Sequence, residues 1–165
     1  MLVAVSVAGN AQWTQVVGVP AVDISSVVVR ENTIYAATDS AVHISTDGGG
    51  VWSRSATLPG SPWYIDALTV FDGKIFAGTG GNGVFVSSDN GGSWAALSQG
   101  LSGPGSHHIT SFAERNGMLY AGTGGAGVFR LQGNTWVPFG DLMGNVAGSV
   151  WFLRTKGDTL VAGAG

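Results

Sequence analysis

The sequence predicts an all-β propeller, with four four-stranded blades set around one axis. Three observations lead there. One apolar strand is written four times, as Ile34-Tyr35-Ala36-Ala37-Thr38, Ile75-Phe76-Ala77-Gly78-Thr79, Leu119-Tyr120-Ala121-Gly122-Thr123 and Leu160-Val161-Ala162-Gly163-Ala164, with starts 41, 44 and 41 residues apart. A tryptophan keeps the same beat at Trp13, Trp52, Trp94 and Trp136. The strands are short and separated by glycine-rich turns. A period near 40 built from such pieces belongs to a radial β-array.

Each unit contains four strand types. The first is apolar and covers residues 24–30, 65–71, 109–115 and 150–154. A tight turn follows it: Glu31-Asn32, Asp72-Gly73, Asn116-Gly117 and Lys156-Gly157-Asp158. Asn-Gly and Asp-Gly supply the positive φ that a two-residue hairpin needs. The recurring phrase is the second type. The third is Val42-His43-Ile44-Ser45, Val84-Phe85-Val86-Ser87 and Val128-Phe129-Arg130-Leu131, with residues 2–7 as its fourth copy. The fourth type starts at each repeated tryptophan and runs about five residues, near the usual strand length.

The chain opens on strands three and four and closes on strands one and two. Residues 1–165 therefore read as one domain of four circularly permuted repeats of about 42 residues. The two ends are expected to complete a shared blade and so remove the edge of an open array. The alternative is part of a larger propeller, or half of an eight-bladed ring closed by a homodimer.

Composition narrows the functional classes. Hydrophobic residues make up 44% of the chain and charged ones 10%, which suits sheets buried between neighbours. Seven scattered Lys and Arg residues at a net charge of −3 give no basic stripe for a phosphate backbone, so nucleic acid is disfavoured. There are no cysteines, hence no disulfide and no thiolate metal site. No apolar run reaches membrane-spanning length, so no membrane insertion is expected. Residues 1–11 read either as the tail of a secretory signal, with Gly9 and Ala11 as its small residues, or as a strand in the repeat register. The strand reading fits the register better, and under either reading an exported bacterial protein, extracellular or periplasmic, is expected.

Between strands three and four lies Ser45-Thr46-Asp47-Gly48-Gly49-Gly50-Val51-Trp52, which returns as Ser87-Ser88-Asp89-Asn90-Gly91-Gly92-Ser93-Trp94. Both fit S-x-D-x-G-x-x-W and resemble the Asp-box (BNR) repeat of sialidase-like β-propellers. In the third unit, Gln132-Gly133-Asn134-Thr135-Trp136, the Asp is gone and the turn is shorter; in the first only Trp13 remains. A short carboxylate can accept backbone N–H bonds within a turn, glycines let the chain fold around it, and the indole wedges against neighbouring strands. The resemblance implies that the boxes lie opposite the ligand face. Ser45, Asp47, Gly49, Trp52, Ser87, Asp89, Gly91 and Trp94 are accordingly structural.

The same resemblance implies a catalytic kit of three arginines, a Tyr–Glu pair and an Asp acid/base. Here Arg30, Arg115 and Arg154 are expected at the far end of the first strands, together with Glu31 and Glu114. A glycosidase needs two carboxyl groups facing across one cleft, and no such pair stands out. No catalytic residue is assigned.

Binding then falls to the loops entering the first strand and leaving the second. The candidates are Trp63 and Tyr64, His107 and His108, Asp141, Asp39 and Asn82. Adjacent histidines on a strand point to opposite faces, so no metal site is assigned and no cofactor is expected. His43 is expected to pack inside its strand. The glycine-rich 78–83 and 122–125 stretches sit in hairpins without a following Lys or helix, which argues against a nucleotide. Trp151 stands where the other units have Ser25, Asp66 and Thr110, and is expected to plug the central channel. The function expected is a non-catalytic binding or scaffolding propeller for a glycan or protein partner, the alternative a sialidase-like glycoside hydrolase or a fragment of one.

Overall fold

Fourteen strands form among the described residues, which in this computed structural model are 23–39, 41–60, 64–140 and 148–165. They make three four-stranded antiparallel sheets and one two-stranded hairpin. Blade 1 is β1 (Ser26–Arg30), β2 (Thr33–Ala37), β3 (Val42–Ser45) and β4 (Ser53–Arg54). Blade 2 is β5 (Ile65–Phe71), β6 (Lys74–Thr79), β7 (Val84–Ser87) and β8 (Ala95–Ala96). Blade 3 is β9 (Ile109–Arg115), β10 (Met118–Thr123), β11 (Val128–Gln132) and β12 (Thr135–Pro138). The hairpin of β13 (Val150–Lys156) and β14 (Thr159–Ala164) gives the fourth blade its two inner strands. The expected outer strands at 2–7 and Trp13 lie outside the described residues, as does the shared blade they would complete.

Local chemistry sets each hairpin. Glu31, Asp72 and Asn116 take φ of 53°, 49° and 51° at the first turn position, and Gly73 and Gly117 take 68° and 69° at the second. This is the backbone twist that matches two antiparallel strands. Two strand expectations need correction. The fourth strands of blades 1 and 2 are only two residues long and begin after the tryptophan, because the chain just past them bonds to the next blade instead, Ala56 N donating to Gly91 O and Gln99 O accepting from Trp136 N. Arg154 is not at a strand end, since β13 runs on to Lys156.

The first strands gather at the centre, β1 beside β5, β5 beside β9 and β9 beside β13. Three apolar clusters fill the spaces between successive blades. Tyr35, Ile44, Leu58, Ile65 and Leu68 join blades 1 and 2. Phe76, Leu101, Ile109, Leu119 and Phe129 join blades 2 and 3, while Tyr120, Val128, Val150 and Leu153 join blades 3 and 4. The glycine of the recurring phrase has a packing cause. A Cβ at Gly78 would stand 2.5 Å from Cγ2 of Ile109, and one at Gly122 would stand 2.8 Å from Cγ1 of Val150. The next blade presses onto bare backbone at these points. His43 is buried in β3, as expected.

The tryptophans tie each blade to the one before it. Trp94 Nε1 donates to the Ala56 carbonyl at 3.1 Å, and Trp136 Nε1 donates to the Leu97 carbonyl at 2.7 Å. Backbone bonds flank both, Ala56 N to Gly91 O and Trp136 N to Gln99 O, each 2.8 Å. Trp52, only partly buried, donates instead within its own turn, to Gly49 O at 3.0 Å. At the turn end of the ring, Arg30 reaches past blade 2, donating to Val70 O at 3.2 Å and standing 3.8 Å from the Glu114 carboxylate of blade 3.

Trp136→Ala should therefore cost about 3–5 kcal/mol, the range for deleting a fully buried aromatic. Trp52→Ala should cost about 1–2 kcal/mol, as expected for a side chain partly exposed and bonded locally. Urea unfolding of the two variants checks this, and equal losses would contradict the clamp between blades.

Candidate functional site at the mouth of the axial channel

The site begins with a defect repeated at one height. In β5, β9 and β13 the ladder skips one residue after the first: Asp66 between Ile65 and Ala67, Thr110 between Ile109 and Ser111, Trp151 between Val150 and Phe152. A bulged residue escapes the alternation of the strand and is re-aimed. Here the re-aiming is toward the next blade and the axis. Thr110 Oγ1 donates to the Val150 carbonyl, and Ser25, at the matching place before β1, donates to the Ile65 carbonyl. Asp66 Oδ2 instead meets His108 Nε2 of the next blade at 3.3 Å.

His108 is fixed by backbone. Its N–H donates to Gly105 O at 3.3 Å and its carbonyl accepts from Gly124 N at 2.8 Å. A Cβ at Gly124 would lie 2.4 Å from His108 Nδ1, so only glycine lets the imidazole lie on that turn. Burial pushes the Asp66 carboxyl above its usual range, and His108 pulls it back down. The pair is thus a carboxylate held in a poorly hydrated place by one partner that is itself half exposed.

Below the bulges lies a cavity of about 450 Å³, walled by the four first strands. Ser25, Asp66, Thr110 and Trp151 ring its upper part, and Phe152 and Arg154 line it on β13. Trp151 does not plug the channel, contrary to expectation. It is 66% exposed in the cavity lining, and its indole lies beside Gly165 just past β14, where a Cβ would stand 2.7 Å from Cζ2. Arg154, expected beside the far turns, lines the same space.

The candidate loop residues are partly brought together. Tyr64 is 60% exposed, and its carbonyl accepts from Gly80 N at 3.1 Å. Asn82, exposed, has its backbone N–H on Thr79 Oγ1 at 3.0 Å, close by Gly60. His107 has Nδ1 3.1 Å from Ser106 Oγ, and its carbonyl holds Gly83 N at 2.8 Å. His107 and His108 face different partners, as their adjacency requires. Asp39 is exposed on blade 1, where its charge acts on His43, a group held below the usual histidine range chiefly by burial. Trp63 and Asp141 lie outside the described residues. Among the described residues, no three His, Cys, Asp or Glu side chains cluster as a metal site would need. The residues the sequence reading did not assign to a site are Asp66, Trp151 and Arg154. The signal for the first two was the odd residue at one repeat position.

At the other end of the blades the two boxes are closed on themselves. Asp47 Oδ1 accepts from Ser45 Oγ at 2.7 Å, Gly50 N at 2.9 Å and Val51 N at 3.0 Å, while Ser45 Oγ accepts from Gly49 N at 2.8 Å. Asp89 Oδ1 accepts from Ser87 Oγ and Ser93 N, both 2.8 Å, and Ser93 Oγ donates to Oδ2 at 2.6 Å. Ser87 Oγ accepts from Gly91 N at 2.8 Å. These bonds lower both carboxyls. The Val51 N–H leads for Asp47, and the Ser93 hydroxyl leads for Asp89, which falls to about 2. Their bonds are made inside the turn.

The sequence matches the model of the DUF6242 beta propeller domain over residues 2–103. No curated protein matches it. Among solved structures, the computationally designed Ika4 protein is similar at 17% identity and a TM-score of 0.63, over 87% of this chain and 86% of that one. YCF48 bound to D1 peptide is similar at 19% identity and a TM-score of 0.62, over 87% of this chain and 48% of that one. The GH74 xyloglucanase from Xanthomonas campestris is similar at 16% identity and a TM-score of 0.66, over 86% of this chain and 27% of that one. The chain thus spans about half of the YCF48 chain and about a quarter of the xyloglucanase. At these identities the likeness is one of fold.

The boxes carry a pH signature. A carboxyl lowered on folding adds stability above its unfolded value, and this is lost as pH falls through the folded one. For Asp89 the window runs from about 4 down to about 2. The stability gap between the wild type and Asp89→Asn should be full at pH 5 and shrink across that window. Thermal melts at stepped pH check it, and a gap constant down to pH 2 would refute it.

Proposed function

The chain belongs to the DUF6242 beta propeller domain family, and on that footing we propose that it is a non-catalytic binding propeller taking a segment of a partner protein at the channel mouth. One observation carries the non-catalytic part. Among the described residues lining the cavity, Asp66 is the single carboxylate, and it is engaged by His108. Hydrolysis of a glycoside by the usual route uses two carboxyl groups on opposite sides of the bond. The carboxylates of the boxes are consumed at the far end.

The binding part rests on what the mouth offers. Exposed aromatic surface at Trp151 and Tyr64 lies beside hydrogen-bonding groups at Asp66, His108 and Arg154, on strands that cannot shift without opening an apolar cluster. A cavity of about 450 Å³ suits one or two side chains of an inserted segment, or one sugar ring. The likeness to YCF48 bound to D1 peptide favours a polypeptide over a glycan. The two intact S-x-D-x-G-x-x-W turns support kinship with Asp-box propellers.

A second reading has its own observation. An exposed indole beside a carboxylate and a guanidinium is also how a protein stacks and hydrogen-bonds a sugar ring, and GH74 enzymes are among the similar structures. Under it the chain would be a piece of a glycoside-binding or glycoside-cleaving ring, with the second carboxylate contributed from elsewhere.

Panning a peptide library on the immobilised chain, beside a glycan array, separates the readings. Peptides selected on the wild type should bind Trp151→Ala about tenfold more weakly, roughly 1.4 kcal/mol. Asp66→Asn should weaken binding while leaving melting near neutral pH unchanged or higher, since it removes a partly buried charge whose desolvation outweighs its pairing with His108. Turnover of xyloglucan or of fluorogenic glycosides, abolished in Asp66→Asn, would overturn the binding reading.

A further inference from the structure

Blade 2 meets blade 3 differently from the way blade 1 meets blade 2, and the difference leaves a pocket. In the first of these interfaces, the box of blade 2 lies over blade 1. Tyr35 OH donates to Asn90 Oδ1 at 3.4 Å, and a Cβ on Gly91 would stand 3.0 Å from Cδ1 of Ile44. In the last interface Tyr120 is covered from its own blade by Phe139, their rings 4.7 Å apart and edge to face. The residue matching Tyr35 and Tyr120 in blade 2 is Phe76, which has no hydroxyl. The turn that would cover it is the shortened Gly133-Asn134, two residues briefer between strand and tryptophan than its counterparts. A pocket of about 210 Å³ stands there.

Its walls are apolar: Phe76, Val86 and Leu97 from blade 2, and Leu131 from blade 3. Its rim is polar and of mixed sign, with Lys74, Asp72 and Ser88 on one side and Asn134 on the other. Neither Lys74 nor Asp72 enters an ion pair among the described residues. The volume chooses between kinds of occupant. Sites for whole small molecules run from about 300 Å³ upward, whereas a cavity of about 150 Å³ already admits one benzene ring. The pocket is therefore of the size for a single aromatic side chain. Charge complementarity chooses its carrier: a rim with an ammonium, a carboxylate and an amide matches the N–H and C=O groups of an extended backbone and gives no net pull on an ion.

We propose that this pocket between blades 2 and 3, opened by the lost box, is a second binding site that anchors an aromatic side chain of an extended segment of a partner protein. It lies at the turn end of the ring, away from the channel mouth, and does not depend on what binds there. A buried aromatic anchor in such a pocket is how a small interface concentrates its affinity.

The test uses the full chain and N-acetyl-L-tryptophanamide, which carries the indole between two peptide bonds, followed by amide-resolved NMR. Saturable shifts should appear at residues 74, 76, 86, 97 and 131, and N-acetyl-L-leucinamide should bind several-fold more weakly. Leu131→Trp, which fills the pocket from within, should abolish binding. Asn134→Trp, on the exposed turn, should do the same by capping the mouth, and it keeps the test decisive if the first variant folds poorly. No saturable shift up to the solubility of the amide would overturn the proposal. So would binding unchanged in Asn134→Trp, shifts confined to the channel mouth, or leucine and tryptophan amides bound equally well.

Discussion

A blade of four short strands has two faces and cannot shield either alone, so everything in this molecule depends on how one blade closes upon the next. That closure is made by an indole whose ring is buried and whose N–H reaches back to a carbonyl of the preceding blade, Trp94 to Ala56 and Trp136 to Leu97. The indoles are buried and their carbonyl partners half-buried, so a lost bond there would cost up to about 1–3 kcal/mol. Glycine completes the closure from the other side. At Gly78 and Gly122 the following blade rests its β-branched side chain on backbone, and any larger residue would push the two sheets apart.

Close packing at the blades leaves the axis as the place where side chains have freedom. The same register break in β5, β9 and β13 puts one residue of each blade out of the pleat, at one level of the ring. Where that residue is Thr110 it serves architecture, hydrogen-bonding the adjacent blade. Where it is Asp66 or Trp151 it lines the cavity, with Asp66 held by His108 of the next blade. A single structural device, repeated by the repeat, thus yields either cohesion or chemistry according to the side chain it carries. The boxes divide differently: their Asp carboxylates and Ser hydroxyls bond within their own turns, while Asn90, Gly91 and Trp94 of the second box also reach to blade 1.

Much of this was legible in the residues. The recurring phrase, the Asn-Gly and Asp-Gly turns and the spaced tryptophans each state a local requirement, and the assembled blades obey all three. Strand lengths were less legible after Trp52 and Trp94, where the chain leaves its own ladder after two residues to bond the next blade. The site was legible only as an anomaly. Ser25, Asp66, Thr110 and Trp151 share one repeat position without sharing a character, which marks a place that packing does not dictate. What a linear reading lacks is the bulge, since alternation assigns every strand residue to one of two faces and cannot represent a third direction. Trp151 accordingly lines the channel that alternation alone has it obstruct, and Arg154 lines the same space because β13 runs on past it to Lys156.

The Arg30 side chain has a consequence of its own. By bonding Val70 O of β5 and standing beside Glu114 of β9, it ties the turn ends of three successive blades through one side chain. Both charged groups are about half exposed, so the latch is weak and screened by salt. Raising the ionic strength would therefore loosen this tie at the turn ends while leaving the apolar clusters between the blades intact.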